Sequence, residues 1–489
     1  RYAYFDMVRS YNPFYYTLNG YDRFTDTYAI SNINPATATE YLSYEPGDKI
    51  VNSTFYMQSM LNYKRTFNEK HGLSGLVVFM MREYLNANAS DLQLSLPFRN
   101  LGLSGRGTYS YDNKYFLEFN FGYNGSERFH RSRRFGFFPS AGMAWTVSNE
   151  KFFEPIKDVV SSLRLRATYG YVGNDAIGAP QDRFFFLSNV NMNDAARRAV
   201  FGRDQTWSAN GISLSRYANE DITWETAVKQ NYAIELGLFN KLNIQADFFY
   251  EYRNNILMTR SYVPVTMGLS APIRANVGEA SSKGVDISLD YKHNWNSGWW
   301  LTARGNFTYA TNKYRKFEEP QYDEPYRYKV GNPINQWYGY VAERLFVDDY
   351  EAYNSPAQPF GEYRGGDIKY LDVNRDGKIS EADIVPIGNP VVPEIVYGFG
   401  FSLGYKNFDC SAFFQGLTNE SFWIDVNKTY PFVDQTQLLK SYAESHWSED
   451  NQDVYALWPR LSTTIINNNA QTSTWFMRDP SFLRLKQAE

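Results

Sequence analysis

A chain of 489 residues with a net charge of −4 offers no basic surface to recruit nucleic acid. Its mean hydropathy is −0.51 and it holds no run of eighteen apolar residues, which excludes transmembrane helices but not membrane strands, since these need only about nine to eleven residues. The single cysteine, Cys410, excludes an internal disulfide, and the four histidines (His71, His130, His293, His446) are scattered without the ligand clustering of a zinc site or a catalytic centre. Aromatic residues make up 18% of the chain, and Tyr and Trp rings suit a membrane–water boundary, where a polar tip can face outward.

In chain order, the first paired element is FYMQSMLNYKRTF, which turns around Asn68 to Gly72. TYSYDNKYFLEF turns at Asp112 and Asn113. In KYFLEFNFGYNG, Tyr115, Leu117, Phe119, Phe121 and Tyr123 share one face, with Glu118, Asn120 and Gly122 on the other. That period of two is the signature of a strand with one oily and one wet side. LRLRATYGYVG places Arg164 and Arg166 on its polar side, and a stretch at about 173–230, rich in Asn, Asp, Pro, Gly and Tyr, reads as irregular.

Alternation resumes in LNIQADFFYEY, whose apolar set is Leu242, Ile244, Ala246, Phe248, Tyr250 and Tyr252. VDISLDYKHN and WLTARGNFTYA form a hairpin through Asn296, Ser297 and Gly298. A second irregular stretch, about 311–395, contains Trp337, Tyr338 and Tyr340. YGFGFSLGYKNFDCSAFFQ then turns at Lys406 and Asn407 and carries Cys410 in its return strand, and a third irregular stretch, about 417–475, contains Trp423. These four loop aromatics offer either stacking faces for sugars and peptide side chains or packing for the loops themselves. Short turns on one side and long loops on the other are the asymmetry of an outer-membrane barrel. The expected fold is therefore all-β: a transmembrane antiparallel β-barrel with short periplasmic turns and long extracellular loops. A set of soluble β-sandwiches is the alternative; the lack of domain-scale breaks, oily faces built from Phe, Tyr and Leu, and charged opposite faces weigh against it.

LDVNRDGKISEAD is the sharpest local motif. Asp372, Asn374 and Asp376 stand at positions 1, 3 and 5 of a loop, with Gly377 at 6, the Lys378 carbonyl at 7, Ser380 at 9 and Asp383 at 12. This is the oxygen-ligand spacing of a calcium loop, here 372–383, expected to brace an extracellular loop rather than to sense calcium. Asp in place of Glu at position 12 departs from the usual bidentate ligand, and an Asx-rich loop without an ion is the alternative.

Several longer phrases together resemble the SusC/RagA family of TonB-dependent outer-membrane transporters. They are LPFRNLGLSGRGTYSYDNKYFLEFNFGYNGSERF, RFGFFPSAGMAWTVSNEKFFEP, LRLRATYGYVGND, GDIKYLDVNRDGKISEADIVPIGNPVVPEIVYGFGFSLGYKNFDCSAFFQG and the closing SFLRLKQ, spread over nearly the whole chain in the family's order. The resemblance implies a barrel of 22 strands, an N-terminal plug, a TonB-contacting segment ahead of it, and a SusD-like surface lipoprotein as a lid. The implied substrates are oligosaccharides or peptides, and no enzyme activity is implied. The chain starts at Arg1 with neither initiator Met nor signal peptide and stops within FLRLKQAE, so residues 1–489 are expected to be a partial barrel lacking the plug and the final strands. The residues carried over to the family's calcium-type loop are Asp372, Asn374, Asp376, Lys378, Ser380 and Asp383; none is carried over for substrate. A passive porin and a secreted glycan-binding or glycan-cleaving protein are the rival functions, the latter without a recognisable carboxylate pair.

Overall fold

The computed structural model describes residues 1–89, 92–179, 182–433 and 436–489. One antiparallel sheet of 14 strands runs through it in chain order. Its strands are β1 (Tyr2–Ser10), β2 (Ser43–Phe67), β3 (His71–Asn86), β4 (Phe98–Tyr111), β5 (Tyr115–Ser126), β6 (Phe135–Thr146) and β7 (Val160–Asn174). They continue with β8 (Glu225–Leu238), β9 (Leu242–Thr259), β10 (Arg274–Asn294), β11 (Trp299–Lys316), β12 (Ile395–Tyr405), β13 (Phe408–Thr418) and β14 (Phe482–Ala488). Each strand pairs with the strands before and after it in this order, so backbone hydrogen bonds are closed between strands from β2 to β13, as lipid requires, and among the described residues the outer edges of β1 and β14 have no strand partner.

The connections alternate in length as the sequence foretells. Tight turns at 68–70, 112–114, 239–241, 295–298 and 406–407 share one end of the sheet. The opposite end carries the long connections 11–42, 175–224, 260–273, 317–394 and 419–481. Asn68, Asp112, Asn113, Asn240 and Lys406 adopt positive φ in those turns, the backbone that tight hairpins of matching twist demand.

Register sorts the two faces. A single row crosses ten strands as Leu73, Tyr109, Leu117, Met143, Ala167, Tyr232, Phe248, Val285, Tyr309 and Ile395, each directly opposite the next. Every member is apolar or aromatic. A parallel row on the other face reads Arg106, Asn120, Ser140, Gly170, Lys229, Glu251, Ser282 and Asn312. The oily row lies open: Leu117 is 55% exposed and Tyr232 56%. A sandwich would cover that face with a second sheet, and none is present among the described residues. At the tight-turn end, His71, Tyr111, Tyr115 and Trp145 line up on the oily side with ring centroids 5.0, 6.5 and 6.4 Å apart, a girdle of boundary aromatics.

Glycines let the inner face approach closely at β12. A Cβ on Gly400 would stand 2.6 Å from the Ala412 carbonyl oxygen, and one on Gly404 would stand 2.2 Å from the Trp300 ring. The rings of Phe413 and Trp300 cover those bare stretches of backbone.

Three parts of the structure are more ordered than the sequence reading expected. The stretch 175–224 is not irregular throughout, because Asn189–Phe201 and Trp207–Arg216 pair as a projecting ribbon. Tyr16–Asp22 and Thr27–Asn32 form a second ribbon between β1 and β2. Strands also run longer than the expected ten residues: β2 has 25 and β10 has 21. At about 3.3 Å per residue they pass well beyond the hydrocarbon and carry the wall toward the long connections.

Neighbouring residues on opposite faces give a direct test. Phe119→Arg, on the oily row side, should destabilise the barrel in a bilayer by about 2–4 kcal/mol, whereas Asn120→Arg should change it by less than about 1 kcal/mol. Equilibrium unfolding in lipid vesicles measures both, and equal effects would contradict the assignment of faces.

Candidate functional site

The wet face of the wall is a lattice of paired charges. Arg166 contacts Glu235 at 2.7 Å and Asp247 at 3.2 Å, linking β7, β8 and β9. Arg106 contacts Glu118 at 2.6 Å between β4 and β5. Nearer the long-connection end, Arg253 is gripped by Glu225 and Glu251, both at 2.6 Å, and Lys229 reaches Glu251 at 3.1 Å. Such pairs contribute little each, but together they make a hydrated, charge-balanced lining rather than an oily one. Glu225, Glu251, Arg253, Ile256, Tyr314 and Phe317 border a cavity of about 750 Å³ on this side, large enough for a small ligand.

Close-packed hydrophobic cores lie in the connections, not in the wall. Phe129, Ile177, Phe185, Ile222 and Trp224 pack together against the inward-facing Phe138, folding the 127–134 and 175–224 connections over the wet side of the mouth. The connections 317–394 and 419–481 build a larger lobe. Its centre holds Ile368, Tyr370, Val426, Tyr430, Trp458 and Phe476, with the rings of Tyr442 and Trp458 stacked at 4.2 Å.

Polar groups stitch the two connections together. Gln358 Nε2 donates to the Ile368 carbonyl at 3.0 Å and to Asn468 Oδ1 at 2.6 Å, while its Oε1 accepts from the Tyr370 amide at 2.8 Å. Asp367 is fully buried, pairs with Arg460 at 2.9 Å and accepts from Asn469 Nδ2 at 2.8 Å. Burial pushes its pKa up despite that arginine.

Two of the four loop aromatics, Tyr340 and Trp423, serve this packing. Tyr340 is buried, 5.4 Å from the Tyr370 ring, and Trp423 packs against the lobe core. Trp337 is half-buried and donates its Nε1 hydrogen to the Ser421 carbonyl at 2.8 Å, and Tyr338 is half-buried beside it. Of the four, Tyr340 alone is fully buried.

The acidic loop has a definite geometry. Asp372 accepts the Gly377 amide at 2.8 Å and the Asp376 amide at 3.2 Å, and Asn374 Oδ1 accepts the same Asp376 amide at 3.1 Å. Gly377 has φ 87°, a backbone only glycine adopts readily. Asp372, Asn374 and Asp376 therefore gather around one stretch of chain. Ser380 and Asp383 are engaged differently, as a capping box on the turn Glu381–Asp383. Asp383 is fully buried, and its oxygens accept from the amides of Val373 at 2.8 Å, Asn374 at 3.3 Å and Ser380 at 2.8 Å. Among the described residues no three His, Cys, Asp or Glu side chains form a group arranged to hold a metal. The oxygens of Asp372, Asn374 and Asp376 and the Lys378 carbonyl are the hard donors on this turn.

Sequence patterning had no means of finding the lobe's interior network, because Gln358, Asp367, Asn468 and Asn469 match no motif. The one available signal was composition: Val426, Tyr430, Tyr442, Trp447, Trp458 and Phe476 make the last long stretch too apolar for a solvated loop.

The sequence profile of a family described as TonB dependent receptor-like, beta-barrel, matches residues 2–443. TonB-dependent receptor P3 of Formosa agariphila is 30% identical over 330 residues, which cover 64% of this chain and 31% of the relative. TonB-dependent receptor SusC of Bacteroides thetaiotaomicron is 24% identical over 389 residues, covering 78% and 36% respectively. Among solved structures, that of the RagAB peptide transporter superposes with a TM-score of 0.66 at 23% identity, over 90% of this chain and 48% of its own. The chain spans about a third of these curated relatives and about half of that structure's chain.

In the lobe, Glu351 ties the helix Asp349–Asn354 to the neighbouring strands, and the Arg344 guanidinium above all holds its carboxyl down at about 2. The helix anchor is therefore complete above the ordinary carboxylate range near 4.5 and is lost as pH falls toward 2. Glu351→Gln should loosen this part of the lobe by no more than about 3 kcal/mol at pH 7 and remove that acid sensitivity. Amide exchange across residues 344–370 measures it; an unchanged profile between pH 7 and pH 3 in the parent protein would contradict it. Arg460→Met, which strands the buried Asp367 carboxylate, should cost the lobe about 3–5 kcal/mol in the same measurement.

Proposed function

Because this chain belongs to the TonB dependent receptor-like β-barrel family, we propose that it forms most of the wall of an energised importer in the bacterial outer membrane. The observation that carries this reading is the pairing of an exposed oily row with a charge-balanced wet row across one continuous sheet. A closed barrel of the family's size would leak solutes if its lumen stood open, so a plug is required. In this reading the plug and the TonB-contacting segment precede the residues described. Energy for release then arrives mechanically through TonB, and no nucleotide site is needed on this chain.

A SusD-like surface lipoprotein closes the mouth as a lid, and the folded lobe gives it a firm seat. The support is likeness to SusC and to the structure of the RagAB peptide transporter. The cargo is an oligosaccharide or a peptide, and the mouth cavity beside Arg253 and Tyr314 is the place on this chain suited to touch it. Its polar groups are already paired with each other, so they orient cargo by hydrogen bonding without holding a fixed charge against it. The chain's residues carry out binding and gating and no covalent chemistry.

Calcium is part of the proposal. Asp372, Asn374, Asp376 and the Lys378 carbonyl would hold it, with water completing the shell. Ser380 and Asp383, at positions 9 and 12 of the loop, are the remaining candidate ligands and close the loop through their capping box. Bound calcium would neutralise Asp372 and Asp376 and stiffen the lobe; it has no part in cargo chemistry.

Two measurements test these readings. Deleting the full-length gene should abolish growth on one class of oligosaccharide or peptide, and blocking TonB energisation should do the same. Uptake that persists without TonB would make the barrel a passive pore instead. Calcium should protect residues 370–384 from proteolysis in the parent protein and not in Asp372→Ala/Asp376→Ala. Equal protection in both would remove the metal from the account.

A further inference from the structure

The short helix Asp349–Asn354 is anchored far more firmly than six residues require. Asp348 caps it by accepting the Glu351 amide at 2.8 Å, and Asp349 accepts the Gly365 amide at 2.9 Å. Glu351 receives Arg344 at 2.5 and 2.9 Å, Lys369 at 3.0 Å and the Val347 amide at 2.9 Å. Ala352 is buried beneath.

What this anchoring presents outward is two tyrosines. Tyr350 and Tyr353 are 79% and 89% exposed, one turn apart on the free side of the helix. A third, Tyr455, is 71% exposed on the adjoining segment, which joins this end of the lobe through the Leu345 amide and the Val454 carbonyl at 2.9 Å. Side-chain freedom is lost where a helix is pinned, yet the Tyr350 and Tyr353 rings stay largely open to solvent.

The surrounding charge says what would cover them. Glu343, Asp348, Asp349, Glu362, Glu449, Asp450 and Asp453 are exposed on the same two segments, 343–364 and 445–455, and Arg364 is the one exposed cation among the described residues there. Carboxylates around open tyrosine rings complement guanidinium and ammonium groups, which pair with the acids and lie over the ring faces. A neutral oligosaccharide could use the rings and hydrogen-bond to the acids but would leave the charge of seven carboxylates unpaired, and an anionic lipid surface would be repelled. We propose that the face formed by Tyr350, Tyr353 and Tyr455 docks a polypeptide bearing Arg and Lys side chains. This docking is independent of the importer reading, since it is an equilibrium property of the outer face of the lobe.

The test uses the full-length protein in detergent and a fluorescent decapeptide of alternating Arg and Gly, followed by anisotropy. The Arg peptide should bind, and its affinity should fall about tenfold or more as salt rises from about 0.01 to 0.15 M, where the Debye length contracts from about 30 to about 8 Å. Tyr350→Ala/Tyr353→Ala should weaken it about tenfold, and Glu449→Gln/Asp450→Asn should flatten the salt dependence. All four positions are exposed, so the fold is retained. Binding of the Arg peptide that is unchanged in the tyrosine variant, or matched by a decapeptide of alternating Glu and Gly, would overturn the proposal. So would maltoheptaose binding that depends on the tyrosines while the Arg peptide does not bind.

Discussion

The structure depends on one constraint: in hydrocarbon, every backbone N–H and C=O must find its partner within the protein. A meander of antiparallel strands meets it for every strand from β2 to β13, because each of these is bonded on both sides by the strands before and after it in the sheet. Once that ladder is in place, side chains have only two directions to point. A row such as Leu117, Met143, Ala167 and Tyr232 is then committed to lipid, and a row such as Asn120, Ser140, Gly170 and Lys229 to water. A slip of one residue at any hairpin would send Lys229 and Glu251 into hydrocarbon, so the register is fixed by a large penalty rather than by the turns alone.

The same constraint explains where the tightly packed cores are. The wall needs none, since its oily side is covered by lipid and its wet side by ion pairs and water. The connections leave the membrane and must stabilise themselves as any soluble segment does. They do so with a lobe centred on Tyr370, Tyr430 and Trp458, and with a smaller cluster around Phe185 and Trp224 at the mouth. The lobe is a packed unit where it could have been a fringe of loops.

Much of the wall was legible in the sequence because the period of two is a local signal: the faces of Tyr115–Tyr123 and Leu242–Tyr252 and the turns at 112–113, 296–298 and 406–407 stand where alternation puts them. The lobe was not legible, because Gln358 meeting Asn468 or Asp367 meeting Arg460 joins residues about a hundred positions apart with no periodicity to announce it. The ribbon Asn189–Phe201 with Trp207–Arg216 was missed for a related reason. It stands alone in solvent, so nothing selects an alternating oily face. The motif at 372–383 was legible as a loop, whereas the three backbone amides that Asp383 accepts were not, since ligand spacing does not announce them.

The central claim is that the oily rows meet lipid while the wet rows line a lumen. Single cysteines placed along Leu117 to Tyr123 in a Cys410→Ser background, probed in native outer membranes, examine it most directly. Odd positions should react with a lipid-soluble maleimide and resist a charged one, and even positions should do the reverse. Uniform reaction with the charged reagent at every position, or protection of the odd positions from both reagents, would contradict the account.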